Sequence, residues 1–217
     1  MCGRYGFQDP DKIRDYYDIQ GDLKDLKPRY NAAPAQQLPV ILRNAKLHAK
    51  IMRWGLIPFW AKDMSIGYKM INARAEGIES KPSYKKPFKT QRCLIPASCF
   101  FEWDKENGSR IPYLIRLISQ EVFSFAGLYD IWKDAEGKEL LSYTIMTTES
   151  NPKIAKIHNR MPVILTKDEE KEWLDLNYPS AIKLLDPYPA EKVEMYPVSK
   201  EVNRPANDYP EIIKPLK

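Results

Sequence analysis

The sequence predicts an α+β fold in which a curved, mostly antiparallel β-sheet or barrel-like core carries peripheral helices. Three observations lead to this fold class. Short runs rich in β-branched and aromatic residues recur along the chain, bounded by turn-forming residues. These candidate strands outnumber the candidate helices and do not alternate with them, as a βαβ fold would require. No Gly/Ser-rich linker or internal repeat divides the 217 residues, so we expect a single domain over residues 1–217.

The predicted strands are nine short segments. Their apolar residues either alternate with polar ones or form brief continuous runs, and both patterns are typical of strands with at least one buried face. In chain order the segments are LPVILRN, KLHAKIMRW, YKMINARAE, CLIPASCFFEW, IPYLIRL, VFSFAGLYD, LLSYTIMTT, MPVILT and KVEMYPVS.

Two segments carry clear helix start signals. Asp9 is a suitable N-cap for DPDKIRDYYDI, with Pro10 at the first helical position. Thr166 and Glu169 form a capping box in TKDEEKEWLDL. Weaker helix candidates are YKKPFKTQ, PSAIKLL and ESNPKIAKIH, the last opened by Ser150 as cap. The proline-rich stretch SKEVNRPANDYPEIIKPLK is expected to run extended over the surface.

Composition indicates a soluble intracellular protein. Hydrophobic residues make up 43% of the chain, and no apolar stretch approaches the roughly 20 residues of a membrane span. The N-terminus lacks the apolar run of a signal peptide, and three cysteines do not suggest a disulfide framework. We therefore expect a cytoplasmic monomer without a membrane partner. The net charge of +5 permits a polyanionic partner without requiring one.

Metal and nucleotide cofactors find no support in the sequence. The chain has two histidines, His48 and His158, and neither lies near the cysteines of CLIPASC. Zinc sites need three or four such ligands at short spacings, so we expect Cys93 and Cys99 to be ordinary buried strand residues. No glycine-rich phosphate-binding motif occurs, and no cofactor is predicted.

The first residues, MCGRYGFQDP, place a cysteine directly behind Met1. One explanation is chance, because chain termini tolerate change. The other is that Met1 is removed, which gives Cys2 an α-amine and a thiol on adjacent carbons. The rest of the sequence has to decide between these explanations.

Four further segments differ from plain core strands. WGLIPFW holds two tryptophans and is either a core strand with a turn or an apolar platform for nucleic-acid bases. In MINARAE, Asn72, Arg74 and Glu76 share one face of a strand, which is either merely solvated or functional. CFFEWD sets Glu102 between aromatic residues, where a partly desolvated carboxyl group suits proton transfer. HNRMPVIL places His158 before an apolar strand, although a lone histidine is more often structural.

The ordered motifs MCGRYG, RYNAAP, WGLIPFW, NARAE, CLIPASCFFEW and HNRMPVIL, with VSKEVNRPANDYPEI near the end, resemble the SOS-response-associated peptidase (SRAP) family of abasic-site-processing proteins. The resemblance covers essentially the whole chain from Cys2 onward. It implies an SRAP-like fold and a covalent crosslink to abasic sites in single-stranded DNA, which shields the lesion during the DNA damage response. It also implies an associated self-processing peptidase activity that could remove Met1, although an ordinary methionine aminopeptidase could remove it as well, and association with the nucleoid when the protein is bound to DNA.

The resemblance assigns the site residues as well. It makes Cys2 the nucleophile, which forms a thiazolidine with the lesion once Met1 is removed. The other catalytic positions match Asn72, Glu102 and His158. The positions that contact the DNA backbone match Arg4, Arg74 and Arg160. Trp54 and its neighbours in WGLIPFW match the positions that would face the bases next to the lesion.

These residue types suit the chemistry of an aldehyde, the form in which an abasic sugar reacts. An α-amine with a pKa near 7.8 is about 14% neutral at pH 7, against about 0.04% for a lysine amine. The thiol of an N-terminal cysteine can then close a five-membered ring on the imine carbon. Glu102 is the expected general acid/base, His158 would protonate or polarise the sugar oxygen, and Asn72 would orient a hydroxyl or the amine.

Two alternatives remain open at this point. A thiol peptidase that acts on other proteins would use Cys2, His158 and Glu102, turn over, and ignore DNA. A noncovalent reader of single-stranded or modified DNA would use the arginines and tryptophans and would still bind after Cys2→Ala. The covalent hypothesis alone explains why Cys2 stands where it does.

Overall fold

The computed structural model describes residues 2–19, 23, 25–104, 110–176 and 181–216. Thirteen strands and three α-helices lie in these ranges. The strands are β1 (Arg4–Phe7), β2 (Arg29–Ala32), β3 (Gln37–Arg43), β4 (Leu47–Trp54), β5 (Asn72–Arg74), β6 (Arg92–Ala97), β7 (Cys99–Asp104), β8 (Ile111–Leu117), β9 (Phe123–Lys133), β10 (Glu139–Glu149), β11 (Arg160–Pro162), β12 (Ile164–Leu165) and β13 (Val193–Pro197). The helices are α1 (Pro10–Tyr17), α2 (Lys85–Thr90) and α3 (Lys167–Leu174).

Five strands close into a barrel. β3 pairs antiparallel with β4 and β6, and β6 with β9. β9 pairs antiparallel with β10, whose parallel pairing with β4 completes the circle. Buried aromatic and aliphatic side chains fill the interior, as the alternating sequence pattern predicts. The predicted α+β class with a barrel-like core is confirmed, with two parallel pairings, β4–β10 and β5–β10, in a mostly antiparallel arrangement.

A second, antiparallel sheet of five strands has the order β13-β8-β7-β1-β2. The stretch CLIPASCFFEW, predicted as one strand, is divided at Ser98 into β6 of the barrel and β7 of this sheet. The Ser98 amide donates to the Gly6 carbonyl oxygen at 2.8 Å, which ties this corner to β1. The corner explains how one continuous apolar run serves both sheets.

The two best-signalled helices are confirmed. The Asp9 side chain accepts hydrogen bonds from the first-turn amides of α1, and Pro10 begins the helix. Thr166 and Glu169 form the reciprocal capping box of α3. The weaker candidate YKKPFKTQ contains the short helix α2. No helix in the described ranges is both long and apolar enough to cross a membrane.

The prediction of a helix opened by Ser150 is wrong. Only one 3-10 turn forms, over Ile154–Lys156, and the capping oxygen is Oδ1 of Asn151, which accepts from the amides of Lys153 and Ile154. The chain cannot continue as a helix because Arg160 enters β11 and pairs with β10. PSAIKLL likewise gives only the 3-10 turn Ala181–Leu184, and its first two residues lie outside the described ranges.

The C-terminal stretch is more firmly held than its sequence predicts. It contains two 3-10 turns and buries Val202 and Ile212 against Phe101 of β7 in a second apolar cluster. Asp208 accepts hydrogen bonds from the amides of Tyr30 and Asn31. The segment therefore packs along the sheet that contains β1, close to the N-terminus.

Candidate active site around Cys2

Cys2 lies just before β1 and is fully buried. Its thiol donates to the carbonyl oxygen of Arg4 at 3.6 Å. Its own carbonyl oxygen accepts a hydrogen bond from Nδ2 of Asn72 at 2.9 Å. Two independent contacts thus hold the backbone and the side chain of a residue that the sequence alone would leave at a frayed terminus.

Glu102 is positioned by the pairing of β7 with β1. Arg4 stands opposite Phe101 in this register, so the strand direction carries Glu102 toward the residues that precede β1. The side chain is 2% exposed, which confirms the predicted desolvation. Burial raises the pKa of the Cys2 thiol, and the nearby Glu102 carboxylate raises it further. The thiol is therefore held in its protonated form beside a carboxyl group.

Asn72 begins β5, which runs parallel to β10 with Asn72 opposite Ile145. The loop before it is fixed from the barrel, because the indole of Trp54 donates to the Ile71 carbonyl oxygen at 2.9 Å. Oδ1 of Asn72 is buried and has no hydrogen-bond partner among the described residues. One end of the amide thus holds Cys2, and the other end retains an unused acceptor.

β11 pairs with β10 on the side opposite β5, since Thr147 faces both Arg74 and Pro162. The Arg160 amide lies 3.0 Å from Nδ1 of the half-buried His158, positioned to donate to it. That bond fixes the ring orientation and, with Nδ1 as the acceptor, puts the ring proton on Nε2.

The Arg160 guanidinium is buried and already paired. Its Nη1 and Nη2 donate to the two carboxylate oxygens of Glu76 at 2.5 and 3.0 Å, and Nη2 also donates to the Thr147 carbonyl oxygen at 2.6 Å. Hydrogen bonding to Arg160 lowers the pKa of Glu76. Glu76 lies beyond β5, so the predicted single strand face of Asn72, Arg74 and Glu76 ends at Arg74.

The remaining predicted DNA contacts differ in accessibility. Arg74 is exposed, as a phosphate contact requires. The Nη1 atom of Arg4 donates to Asn31 Oδ1 at 2.9 Å and to the Val202 carbonyl oxygen at 2.7 Å. Its Nη2 donates to the Asn203 carbonyl oxygen at 3.3 Å. Arg4 thus joins the strand that follows Cys2 to the C-terminal segment.

The expectation that Trp54 faces DNA bases does not fit its position. The side chain is fully buried, contacts Tyr5 edge-on at 5.1 Å between ring centroids, and stacks in parallel with Tyr143 at 6.4 Å. The accessible aromatics of WGLIPFW are Phe59 and Trp60, each about half exposed. The motif therefore combines the two readings of the sequence, a core strand and an apolar surface.

One feature near Cys2 had no signal in the sequence. The hydroxyls of Tyr5 and Tyr143 share a hydrogen bond of 2.8 Å between fully buried rings. Burial raises the pKa of both phenols, and the Cys2 thiol adds to the effect on each. The two phenols form a neutral polar pair near Cys2, and the pair depends on contact between β1 and β10, which only the folded chain creates.

Comparison with known proteins places this arrangement in a family. The family model described as SOS response associated peptidase (SRAP) matches residues 1–205. The chain belongs to the SRAP family. The resemblance expected from the ordered sequence motifs is confirmed.

Relatives of this SRAP chain span bacteria and vertebrates. The abasic site processing protein YoqW of Bacillus subtilis is 46% identical over 224 residues, covering 99% of both chains. The abasic site processing protein HMCES of Xenopus tropicalis is 33% identical, covering 97% of this chain and 77% of the relative. A crystal structure of a Bacteroides thetaiotaomicron protein, 30% identical, superposes with a TM-score of 0.91 over 100% of both chains.

Proposed function

We propose that this SRAP protein processes abasic sites in single-stranded DNA by forming a covalent crosslink through Cys2. The observation that carries the proposal is the setting of Cys2: Asn72 holds its carbonyl group, and its protonated thiol lies beside buried Glu102. Such a site presents two adjacent nucleophiles to one electrophilic carbon once Met1 is gone. The names of the relatives, abasic site processing proteins, support the same function.

The reaction balances without a cofactor. The neutral α-amine of Cys2 adds to the aldehyde carbon of the ring-opened sugar, and the resulting carbinolamine loses water to give an imine. The Cys2 sulfur then adds to the imine carbon, and the thiol proton ends on the nitrogen. The product is a thiazolidine, and the net by-product is one water molecule.

The raised pKa of the Cys2 thiol favours this order of steps. A thiolate would be rare in the buried site, so the amine attacks first and the thiol follows by transferring its proton to a neighbouring base. In this scheme Glu102 accepts and returns protons, and His158 protonates the sugar oxygen during ring opening. The unused Oδ1 of Asn72 accepts from the amine or from a sugar hydroxyl.

Exposure of the α-amine requires cleavage after Met1, and the same groups provide a route. The Cys2 thiol attacks the Met1 carbonyl carbon, the peptide bond breaks, and the departing nitrogen becomes the α-amine with the thiol's proton. Water then hydrolyses the thioester and releases methionine. This self-processing step accounts for the word peptidase in the family description.

DNA binding is assigned to the surface around this site. Arg74 contacts a phosphate directly, and Phe59 and Trp60 provide the apolar surface for bases. Phosphate contacts by Arg4 and Arg160 require their present carbonyl and carboxylate partners to be exchanged for phosphate oxygens. The protein would then be a cytoplasmic monomer that associates with the nucleoid when it is bound to DNA.

The test combines intact mass with a denaturing gel. Wild-type protein should lack Met1 and form a heat-stable adduct with single-stranded DNA that carries one abasic site. Cys2→Ala should form none, and Cys2→Ser should form at most a labile imine that borohydride traps. A stable adduct with Cys2→Ser would contradict the thiazolidine. Cleavage of other proteins with turnover, or tight binding without any adduct, would favour the peptidase or the noncovalent reader instead.

A further inference from the structure

An exposed apolar surface begins where the barrel strand β4 ends. Four large side chains within residues 59–68 are between two-fifths and two-thirds exposed: Phe59, Trp60, Met64 and Tyr68. Tyr68 is the most exposed of the four, at 63%. Exposed large apolar side chains grouped in this way mark surfaces that bind another molecule.

The inner face of the Tyr68 ring is covered by an arginine. The guanidinium carbon of Arg53 lies 5.0 Å from the ring centroid, a cation–π contact. Arg53 is 4% exposed, and its Nη2 is buried without a hydrogen-bond partner among the described residues. Within those residues no carboxylate forms an ion pair with it either. Buried arginines are normally paired with a carboxylate, so the contact between this guanidinium and the Tyr68 ring is an unusual arrangement.

Two glycines make room for the guanidinium. A Cβ atom on Gly67 would stand 2.6 Å from Arg53 Nη1, closer than such contacts occur. Gly55 has a φ of +112°, a conformation that side chains avoid, and its carbonyl oxygen accepts from Nη1 at 3.1 Å. Arg53, the two glycines and Tyr68 thus form a built support that fixes one face of the ring and leaves the other open.

We infer that the outer face of Tyr68 is a stacking site for one nucleobase of single-stranded DNA next to the lesion. This inference rests on the proposed function. Tyr68 precedes Asn72 by four residues, so the chain between them spans at most about 14 Å. Since Asn72 holds Cys2, the ring lies within reach of the nucleotides that flank the reacting sugar.

The positive charge of nearby lysines favours nucleic acid as the molecule that binds the outer face of Tyr68. Lys62, Lys69 and Lys86 are exposed around these aromatics, and the Lys86 amine lies 4.4 Å from the centroid of the Phe59 ring. Cations around open rings suit a strand whose bases stack while its phosphates meet the lysines. The Arg53 cation also withdraws electron density from the Tyr68 ring, so an electron-rich purine should stack more strongly there than a pyrimidine.

The test measures binding without crosslinking. In a Cys2→Ala background, fluorescence anisotropy gives the Kd for intact single-stranded oligonucleotides with purines or pyrimidines at the central positions. Tyr68→Ala should weaken binding about 5- to 150-fold, the range of one lost base stack, and remove the purine preference. Tyr68→Phe should retain both. Ile118→Ala, which removes a side chain of similar exposure beyond β8, is the matched control and should not change Kd.

The salt dependence of DNA binding distinguishes the contribution of base stacking from that of phosphate contacts. Because Tyr68 contacts no phosphate, Tyr68→Ala should leave the slope of log K against log salt unchanged, whereas Arg74→Ala should reduce it by about 0.7. Wild-type affinity in Tyr68→Ala, or equal affinity in Tyr68→Leu and the parent, overturns the stacking site.

The crosslinking assay keeps this inference distinct from the proposed function. If the stacking site is wrong, Tyr68→Ala binds normally while Cys2 still forms the adduct. If the proposed function is wrong, the wild-type protein forms no adduct, or Cys2→Ala does not abolish it, whatever the result at Tyr68.

Discussion

Replacement of Glu76 by glutamine should destabilise the protein in a way that depends on pH. The change keeps the shape of the side chain but removes the charge that pairs with the Arg160 guanidinium. Arg160 would then be a buried cation with hydrogen bonds only to neutral groups. The loss should also loosen β11, whose first amide orients His158.

The magnitude follows from the unequal exposure of the two partners. The Arg160 side chain is 10% exposed and the Glu76 side chain 56%. Loss of one partner of a fully buried pair costs about 3–5 kcal/mol, whereas an exposed pair contributes about 0–1 kcal/mol. Because water screens the Glu76 side, we expect Glu76→Gln to lower the free energy of unfolding by about 1–3 kcal/mol at neutral pH.

The pH dependence has a definite sign. Arg160 lowers the pKa of Glu76 in the folded state, so the pair stabilises the protein above the ordinary glutamate pKa of about 4.3. That stabilisation disappears as the pH falls through the lowered pKa of folded Glu76. The difference between wild type and Glu76→Gln should therefore be constant above about pH 6 and shrink below about pH 4.

Urea denaturation at several pH values measures this difference. Glu79→Gln is the matched control, since Glu79 is an exposed glutamate three residues further along and should behave like wild type throughout. Equal stability of Glu76→Gln and Glu79→Gln at pH 7 would refute the argument. So would a deficit of Glu76→Gln that persists unchanged at pH 3.

Three further changes separate binding, chemistry and folding. Arg74→Ala should weaken binding to every single-stranded sequence alike in salt titrations, with a slope smaller by about 0.7, and an unchanged slope would count against the phosphate contact. Glu102→Gln should slow single-turnover adduct formation about a hundredfold or more without changing DNA affinity, and a wild-type rate would remove Glu102 from the catalytic set. Thr166→Ala should lower the free energy of unfolding by about 1 kcal/mol through the lost α3 cap, measured in urea, while the adduct rate of the folded protein stays the same.

Local sequence patterns predicted the barrel well because its strands are long and their apolar residues regular. They missed β1 and β2, whose four residues each carry no clear period and whose pairing partners lie far away or arise only on folding. β1 pairs with β7, so its existence depends on the corner at Ser98 that the sequence did not reveal. The same corner brings Glu102 toward Cys2, and hence the site could not be assembled from local patterns.

The choice between Trp54 and Trp60 shows a second limit. Both belong to WGLIPFW, and an apolar motif does not say which tryptophan faces water. The chain stays buried from Trp54 through Pro58 and reaches the surface only at Phe59, so Trp54 lies in the core while Trp60 is about half exposed. The path of the folded chain, and not the residue type, decides which of the two tryptophans is buried.

The arginines near the site show a similar limit: the sequence does not reveal which of them are already paired in the folded protein. Arg4, Arg74 and Arg160 look alike in sequence as phosphate contacts, but the fold supplies distant partners to two of them. Arg160 meets Glu76 across β10, and Arg4 meets the carbonyl oxygens of the C-terminal segment. Only for Arg74 does exposure agree with the predicted contact. A phosphate must therefore displace a formed bond to reach Arg4 or Arg160. The Arg74 side chain forms no hydrogen bond or ion pair with the residues that the structure describes, so we expect Arg74 to dominate the first encounter with DNA.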